Sequence, residues 1–206
     1  MKLILTLLSI PYFIICMILH KNKNINIDLN KCLEYINREQ KSFSLIDDYY
    51  YDVLVTAEDH RNSMHYGIDP IAIFRCIYMK LTKKTIQGGS TVEQQLVRTL
   101  TGRYERTMRR KIREQVIAIL LKKKIKNRVK LGKAYLHCAY FGYNKVGFFN
   151  LSAKERKDAS ELVARLKYPT KKNQTPCNNE KTMKRKIYID EMLKRNSCMQ
   201  MKGRSN

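Results

Sequence analysis

The residue types best suited to chemistry lie in three short stretches of the chain. The first pairs two acids, Glu58 and Asp59, and places His65 shortly after them. Glu58 follows the partly apolar segment 53–57, which can desolvate a carboxylate enough to suit it to general base catalysis. A solvated acidic pair is the ordinary alternative, and this stretch taken alone favours that alternative.

The second stretch, residues 88–98, has the form of an anion-binding helix start. Two glycines precede residues 90–93, which read Ser-Thr-Val-Glu and predict a capping box at the N terminus of a helix. Free backbone N–H groups and the helix dipole at such a terminus attract phosphate. A turn followed by a capped surface helix explains the glycines and the cap, but it does not explain the polar pair Gln94 and Gln95.

The third stretch places cations and one acid on a single helix. Apolar spacing predicts this helix over about residues 105–124, with Met108 on its apolar face. Arg106, Arg110 and Glu114 are four residues apart, so we predict that they stack on the opposite face. An exposed Arg–Glu ladder worth roughly a few tenths of a kcal/mol per pair is the ordinary alternative.

Helical signals dominate the segments that must position these stretches. Asp69 is a good N-cap and Pro70 a good first helical residue, and apolar residues then repeat at helical spacing over 71–81, which predicts a core helix. Further helices are predicted over 131–141 and 159–166. No clean period-two strand of useful length occurs, so we predict an all-α, mainly α-helical domain.

The amino terminus carries an uncharged, mostly apolar run over residues 3–19, flanked by lysines on both sides. Its length is at the short end of a transmembrane helix, so we predict an N-terminal membrane anchor over residues 1–21. A cleaved signal peptide and a buried core helix are the alternatives. The residues that follow the run, from His20 onward, lack the small-x-small site at which a signal peptide is cleaved. The run also has no polar face, which a core helix would have.

The chain of 206 residues has room for one domain of ordinary size. After the anchor we predict a linker and juxtamembrane helix over residues 22–47, with a polar linker at 24–30. A catalytic domain is predicted over residues 48–176. Residues 177–206 are predicted to form a basic C-terminal tail.

The charge balance limits the partners. The chain has 41 Lys and Arg against 18 Asp and Glu, and its formal net charge of +23 favours nucleic acid, a phospholipid surface or a phosphorylated ligand. A basic run over residues 122–133 is ordinarily a solvated face; behind a membrane anchor it would attract anionic lipid by about 1 kcal/mol per residue. Six scattered cysteines and four histidines show no metal-ligand spacing, so we predict no metal site.

In the same order, the three stretches resemble the first three motifs of the family 51 glycosyltransferases, the peptidoglycan transglycosylases that polymerise lipid II. Residues 135–147 and 161–169 are similar to the fourth and fifth motifs, and the resemblance covers roughly residues 52–169. The chain most resembles the monofunctional biosynthetic members. This resemblance implies a lysozyme-like, largely α-helical fold.

The resemblance also implies roles for individual residues. Glu58 would be the general base that deprotonates the 4-hydroxyl of the acceptor sugar, which then attacks the anomeric carbon of the growing chain with inversion. Asp59 and His65 would support this base, and Glu114 would assist at the leaving group. The residues implied for substrate and diphosphate binding are Ser90, Thr91, Gln94, Gln95, Arg98, Arg106, Arg110 and Lys111.

Four positions depart from the family's pattern. Asn62 stands where phenylalanine is usual, His137 where asparagine is usual, and Arg98 where lysine is usual. Glu93 stands where threonine or serine is usual. It would set a negative charge near a diphosphate unless its carboxylate turns back to cap Ser90.

From this resemblance we predict a membrane-anchored peptidoglycan glycosyltransferase that releases polyprenyl diphosphate, with its catalytic domain outside the cytoplasmic membrane. Its expected partners are lipid II, the growing glycan chain, anionic membrane lipids and other cell-wall synthesis proteins. No cofactor is required; the resemblance allows Mg²⁺ to assist at the diphosphate, although no carboxylate cage for it is visible. On this length we expect no transpeptidase domain.

Three alternatives stay open at this point. A degenerate, non-catalytic relative would bind lipid-linked glycan or act as a scaffold, but it would not need to keep both Glu58 and Glu114. A nucleic-acid-binding protein fits the charge, but the apolar amino terminus and the lack of a recognisable binding module disfavour it, so no nucleic acid is predicted as partner. A lysozyme-like hydrolase would also use two acids, yet it has no use for a diphosphate cradle.

Overall fold

The computed structural model of the chain describes residues 1–84, 88–173 and 176–202. Within these residues the helices are α1 (Lys2–Leu19), α2 (Lys23–Arg38), α3 (Gln40–Ser44), α4 (Asp48–Glu58), α5 (Pro70–Lys83), α6 (Val92–Thr101), α7 (Met108–Lys124), α8 (Arg128–Cys138), α9 (Ala153–Arg156), α10 (Ala159–Lys167) and α11 (Pro176–Lys202). A 3-10 helix spans Phe148–Asn150. The predicted mainly α-helical fold is confirmed.

A short antiparallel hairpin interrupts the helical pattern. It pairs β1 (Tyr140–Gly142) with β2 (Lys145–Val146). The helix predicted over residues 131–141 therefore ends earlier, at Cys138, and Phe141 is buried in β1. Strands of two or three residues are too short to produce a recognisable alternation in the sequence.

The core lies where α6 packs against α7 and α8. Leu96 from α6, Ile117 and Leu121 from α7 and Leu136 from α8 are almost completely buried there. Burying each such side chain contributes about 1.5–3 kcal/mol relative to leaving it exposed. Since α2 packs on α6 and α7, and α4 packs on α8, the start of α6 is held on several sides.

The end of α4 sets the position of the two acids. Asp47 caps the N terminus of α4, and Leu54 anchors the helix in the core. The helix ends at Glu58, and the backbone of Asp59 leaves the helical conformation. The two neighbouring carboxylates consequently point to different places, Glu58 to a cleft and Asp59 to the interior.

The capping box predicted at the start of α6 is wrong. The N-cap is Thr91, whose hydroxyl accepts from the Gln94 N–H. Glu93 does not turn back to Ser90, because its buried carboxylate is bound by Lys122 from α7. Leaving that buried ammonium unpaired would cost far more than an exposed cap contributes.

The helix α7 begins later than its apolar spacing predicted. Thr107 is its N-cap and accepts from the Arg110 N–H, so Arg106 lies before the helix and is exposed. The predicted stacking of Arg106 on Arg110 is therefore wrong. Met108, predicted on the apolar face, is 75% exposed. The cap rather than the apolar period determines where this helix starts.

The helix α5 does not carry the core stripe that its spacing predicted. It packs against α1, and only its first residues, Pro70 and Ala72, are buried. Four apolar residues of its outer face are more than half exposed: Phe74, Ile77, Tyr78 and Leu81. An apolar face that no described residue covers is typical of a surface that contacts lipid or a partner.

The helix α1 is long and apolar enough to cross a membrane, as the sequence predicts. Leu5, Ser9 and Cys16 are buried where α1 packs on α5 and α7. Most of its other apolar side chains are exposed. A helical surface of this kind is unfavourable in water and favourable in the hydrocarbon core of a bilayer.

Residues 24–30, predicted as a polar linker, form the first half of α2. Asn22 caps this helix, and Ile25, Leu29 and Cys32 bury their side chains. These three residues have helical spacing, but the asparagines between them are typical of loops and hid the pattern. The linker prediction is therefore corrected to a helix that packs on α6 and α7.

Most of the segment predicted as a basic tail, residues 177–206, belongs to α11. This helix packs on α4 and α10, and Ile189 is fully buried. Residues 203–206 lie outside the described residues. Because α11 lies beside the end of α4, its side chains reach the acid pair.

Gly67 lies in the loop after α4 and packs closely on α7, whereas Gly102 follows α6 and has open space around it. Gly67 has φ +88°, and a Cβ at this position would lie 2.6 Å from the Ala118 carbonyl oxygen. Gly102 also has a positive φ, +67°, but a Cβ at this position would meet no atom within 4 Å. We expect Gly67→Ala to lower the free energy of unfolding by about 2–5 kcal/mol. Gly102→Ala, the matched control, should lower it by about 1 kcal/mol. Chemical denaturation measures both, and equal losses would contradict the steric argument.

Candidate active site

An open cleft of about 580 Å³ lies between the end of α4, the start of α6 and the helices α10 and α11. The charged residues among those that line it are Glu58, Arg75, Arg98, Lys167 and Arg185. Four cations against one acid favour an anionic ligand. The cleft therefore suits a phosphorylated substrate.

Among the described residues that line this cleft, Glu58 is the one carboxylate. One of its oxygens accepts from the Arg185 guanidinium at 3.1 Å, and the other lies 3.5 Å from the Gln95 amide nitrogen. Gln95 in turn accepts from the Tyr135 hydroxyl at 2.7 Å. Burial raises the pKa of Tyr135, and Glu58 adds to the shift, so this hydroxyl stays a neutral donor. Glu58 is thus oriented from two sides.

Beside the cleft, three cations converge on Glu114. Arg98 donates to one carboxylate oxygen at 2.8 Å, and Lys111 donates to the same oxygen at 3.4 Å. Arg110 donates to the other oxygen. The Glu114 side chain is only 3% exposed, and burial at this level requires charge balance. Three cations around one acid leave a net positive group that suits a diphosphate.

Ser90 joins this group to the cleft. Its hydroxyl oxygen accepts from Arg98 at 3.1 Å and from Lys111 at 2.8 Å. Lys111 also donates to the Gln94 side-chain oxygen at 2.6 Å. Burial lowers the pKa of Lys111; Glu114 opposes this shift and Arg98 adds to it. We call Ser90, Arg98, Arg110, Lys111 and Glu114 the cation clamp.

Asp59 faces away from the cleft, into a buried polar centre. One of its oxygens accepts from His65 at 2.9 Å, and the other accepts from the Asn62 side chain at 3.0 Å and the Val92 N–H at 3.1 Å. Burial acts to raise the pKa of Asp59, but these hydrogen bonds outweigh it, and the pKa lies below its ordinary value. The Gly67 N–H donates to the other His65 ring nitrogen at 3.2 Å. Asp59 and His65 therefore join the end of α4 to the start of α6.

The structure brings most of the predicted site residues together. Those in or beside the cleft are Glu58, Ser90, Gln94, Gln95, Arg98, Arg110, Lys111 and Glu114. Thr91 is buried as the N-cap of α6, and Asp59 and His65 lie behind the cleft. Arg106 is exposed and makes no hydrogen bond or ion pair with any residue that the structure describes.

Sequence reasoning missed three cations of the cleft, Arg75, Lys167 and Arg185. Arg185 donates to the Ala57 carbonyl oxygen at 2.7 Å as well as to Glu58, and its guanidinium lies 5.2 Å from the centre of the Tyr188 ring. All three are among the 41 basic residues of the chain, and no local spacing distinguishes them. Only the packing of α5, α10 and α11 brings them to the cleft.

The chain matches a known protein family over most of its length. The profile of the transglycosylase family matches residues 26–193. The chain belongs to the transglycosylase family. The match extends beyond the catalytic domain predicted over residues 48–176 at both ends, so it includes most of α2 and much of α11.

The chain is also similar to curated proteins whose names concern penicillin binding or peptidoglycan transglycosylation. It is 30% identical over 162 residues to penicillin-binding protein 1A of Aquifex aeolicus (strain VF5), an alignment that covers 74% of this chain and 22% of the relative. It is 39% identical over 95 residues to penicillin-binding protein 1B of Haemophilus influenzae. This alignment covers 45% of the chain and 12% of the relative. The biosynthetic peptidoglycan transglycosylase of Alcanivorax borkumensis is 29% identical over 144 residues, covering 65% and 58%. The chain thus spans less than a quarter of these two penicillin-binding proteins.

The described residues of the site do not fit a divalent metal ion. Both oxygens of Glu114 are bound by cations of the clamp. Ligand atoms of Asp59, His65 and Glu93 lie within 4.8 Å of one another, but hydrogen bonds and the Lys122 ammonium engage their carboxylates. Mg²⁺ requires free oxygen ligands at near-octahedral positions. Among the described residues, side-chain cations supply the positive charge of the cleft.

The low pKa of Asp59 predicts a pH dependence of stability. A carboxylate whose folded pKa lies below its unfolded value, about 3.9, stabilises the fold above that pH. This contribution is lost as the pH falls through the folded pKa. Burial acts to lower the pKa of His65, but the hydrogen bond to Asp59 outweighs it and the pKa is raised, so the contribution made through His65 is lost as the pH rises above about 6.5. We expect the Tm deficit of Asp59→Asn to be largest between about pH 4 and 6.5 and to shrink towards pH 3 in thermal unfolding experiments.

Asp52→Asn, on the helix α4 that precedes Asp59, is the control for that experiment. Burial raises the pKa of Asp52, and Asp48 and Asp47 add to the shift. Its charged form therefore disfavours the fold at neutral pH, and the Tm difference between this variant and the wild type should change with pH in the opposite sense. A deficit of Asp59→Asn that is the same at every pH would contradict the argument.

Proposed function

We propose that this chain is a peptidoglycan glycosyltransferase that polymerises lipid II into glycan strands and releases polyprenyl diphosphate. The observation that carries the proposal is the division of charge at the cleft, where the carboxylate of Glu58 shares the walls with Ser90 and Arg98, the two members of the cation clamp that line it. Such a transfer needs a base at the attacking hydroxyl and positive charge at the leaving diphosphate. Family membership and the names of the relatives support the same reaction.

In the proposed reaction, Glu58 takes the proton from the 4-hydroxyl of the acceptor sugar. The freed oxygen forms a bond to the anomeric carbon of the donor while the bond from that carbon to the diphosphate oxygen breaks. Attack opposite the leaving group inverts the configuration. The diphosphate leaves with the electron pair of the broken bond and is stabilised by Arg98 and Lys111. Gln95 and Arg185 hold the base in place.

Glu114 has a separate part in the proposal. Its burial keeps it from acting as a base in the cleft, and its contacts hold Arg98, Arg110 and Lys111 at fixed positions. Charges that are positioned before the substrate arrives stabilise the transition state without reorganisation. Glu114 therefore assists the leaving group through the cations. The proposal contains no step that uses a metal ion.

The proposal also places the enzyme at the cytoplasmic membrane, with α1 as a single-pass anchor and the catalytic domain outside the cytoplasm. The apolar, largely exposed surface of α1 supports the anchor. The lipid tails of both substrates would bring them to the same membrane. Exposed lysines such as Lys123 and Lys124 supply charge for contacts with anionic lipids.

Polymerisation of fluorescent lipid II by the detergent-solubilised chain tests this proposal. We expect glycan ladders from the wild type, and a loss in kcat of about 10²–10⁴-fold for Glu58→Gln, because a general base contributes that much. Glu180→Gln is the matched control: this exposed carboxylate of α11 pairs with Lys184 at 2.6 Å, and the change should leave kcat unaltered. Moenomycin, which the family resemblance predicts as an inhibitor, should abolish the ladders.

Two outcomes of this assay would contradict parts of the proposal. Lipid II binding without any product would favour a non-catalytic relative that binds lipid-linked glycan. Full activity of Glu58→Gln would support the proposed reaction but would show that Glu58 is not its base.

The cation clamp predicts a second kinetic result. Arg98→Gln removes a donor next to the leaving diphosphate, so we expect kcat to fall by about 10²–10³-fold. Arg103→Gln is the matched control, since Arg103 pairs with Asp28 at 3.0 Å and does not line the cleft. An Arg98→Gln variant with a raised KM and an unchanged kcat would show that Arg98 binds substrate and transition state equally.

A further inference from the structure

A buried polar unit behind the cleft joins the loop after α4 to α6 and α7. We call its members, Asn62, Glu93 and Lys122, the buried triad. Lys122 donates to Glu93 at 2.9 Å, and the Asn62 amide nitrogen donates to Glu93 at 3.3 Å. The three residues are only 4%, 1% and 6% exposed, respectively. The triad therefore belongs to the interior rather than to the cleft.

The charges within the triad balance each other. An ammonium or a carboxylate buried alone at this level would cost several kcal/mol, and their pairing removes most of that cost. Burial lowers the pKa of Lys122, and Glu93 opposes the shift. The next two residues, Lys123 and Lys124, are exposed. A solvated basic face accounts for those two lysines but not for Lys122.

Asn62 connects the triad to the acid pair. Its amide nitrogen donates to Asp59 at 3.0 Å as well as to Glu93, and its side-chain oxygen accepts from the Tyr51 hydroxyl at 3.0 Å. Burial raises the pKa of Tyr51 to about 12, and Glu93 adds to the shift, so this hydroxyl remains a donor. Because both ends of the Asn62 amide are engaged, its orientation is determined.

Asp59 connects the orientation of Asn62 to the position of Glu58 in the cleft. It directly follows Glu58, and it accepts from the Val92 N–H at the start of α6. Ser90 precedes the same helix start and belongs to the cation clamp. A shift of Asp59 would consequently change the distance between the base and the clamp.

We propose that the buried triad is a positioning unit for glycosyl transfer. The Glu93–Lys122 pair holds Asn62 on Asp59, and Asp59 holds Glu58 at its place in the cleft. This inference deepens the proposed function and rests on Glu58 acting as the base.

Two members of the triad stand at positions where the chain departs from the family's pattern. Asn62 replaces an aromatic residue and Glu93 replaces a small hydroxyl residue, and the two side chains contact each other. Lys122 supplies the charge that makes Glu93 tolerable in the interior. The contact between Asn62 and Glu93 links these two positions within one hydrogen-bonded unit.

A double-mutant cycle in the full chain tests the triad. The four proteins are the wild type, Glu93→Gln, Lys122→Met and the double variant, compared in the lipid II assay at a temperature where each is folded. Each single variant leaves a buried polar group without its partner, so we expect kcat to fall about tenfold or more. KM should stay within about twofold, because the cation clamp keeps its own contacts. The double variant should recover kcat to within about threefold of the wild type, since it leaves no unpaired charge at positions 93 and 122.

A second measurement does not depend on turnover. The ¹⁵N resonances of the His65 imidazole report its hydrogen bond to Asp59. We expect each single variant to shift them and the double variant to return them towards the wild-type values. Lys154→Met, at an exposed lysine of α9 that does not line the cleft, is the matched control and should change neither kcat nor these resonances.

The outcomes distinguish a failure of the triad proposal from a failure of the proposed function. A lower melting temperature with unchanged kcat and unchanged His65 resonances would overturn the proposal, because the triad would then serve stability alone. Additive losses in the double variant would overturn the coupling. If the wild type makes no glycan, the proposed function fails, and the His65 resonances decide whether the triad positions Asp59. If Lys122→Met does not fold, Glu93→Gln and the double variant provide the same comparison.

Discussion

The hydrogen-bonding requirement of the Asp59 carboxylate holds the site together. A carboxylate buried in the interior is stable only when several donors surround it, and Asp59 draws them from the Asn62 and His65 side chains and from the Val92 N–H of α6. These donors belong to different parts of the chain, so they can meet only if the end of α4 lies against the start of α6. The direction of Glu58 follows from that contact, because Glu58 is the preceding residue on the same backbone.

Beside the cleft, the buried acid Glu114 likewise requires partners, which here are cations that balance its charge. Glu114 gathers three cations, and Arg98 and Lys111 extend from it to Ser90. In the same way, Arg185 forms an ion pair with Glu58. Part of the chain's large positive charge is thus held next to acids, where it can meet an anionic ligand without reorganisation. The remainder lies on the surface, where it affects association with anionic membranes.

Local patterns predicted much of this arrangement and failed at identifiable places. The acid pair, the glycines before α6 and the Arg110–Glu114 contact depend on short-range spacing, and the structure places them together. The core stripe predicted for α5 failed, because apolar spacing shows that a helix has an apolar face but not what covers it. The linker predicted at residues 24–30 failed because loop-type residues there occupy the polar face of a helix.

The sequence by itself determined the helical fold class, the membrane-length apolar helix and the residue types that stand at the acid pair and the helix start, since these follow from local spacing and composition. Only the tertiary structure decided the partners of those residues. Lys122 is a buried ion-pair partner of Glu93 rather than part of a solvated basic run, and Arg185 contacts Glu58 across more than a hundred residues of chain. Helix geometry fixes which residues share a face, but burial and long-range pairing depend on which faces meet, and no local pattern encodes that.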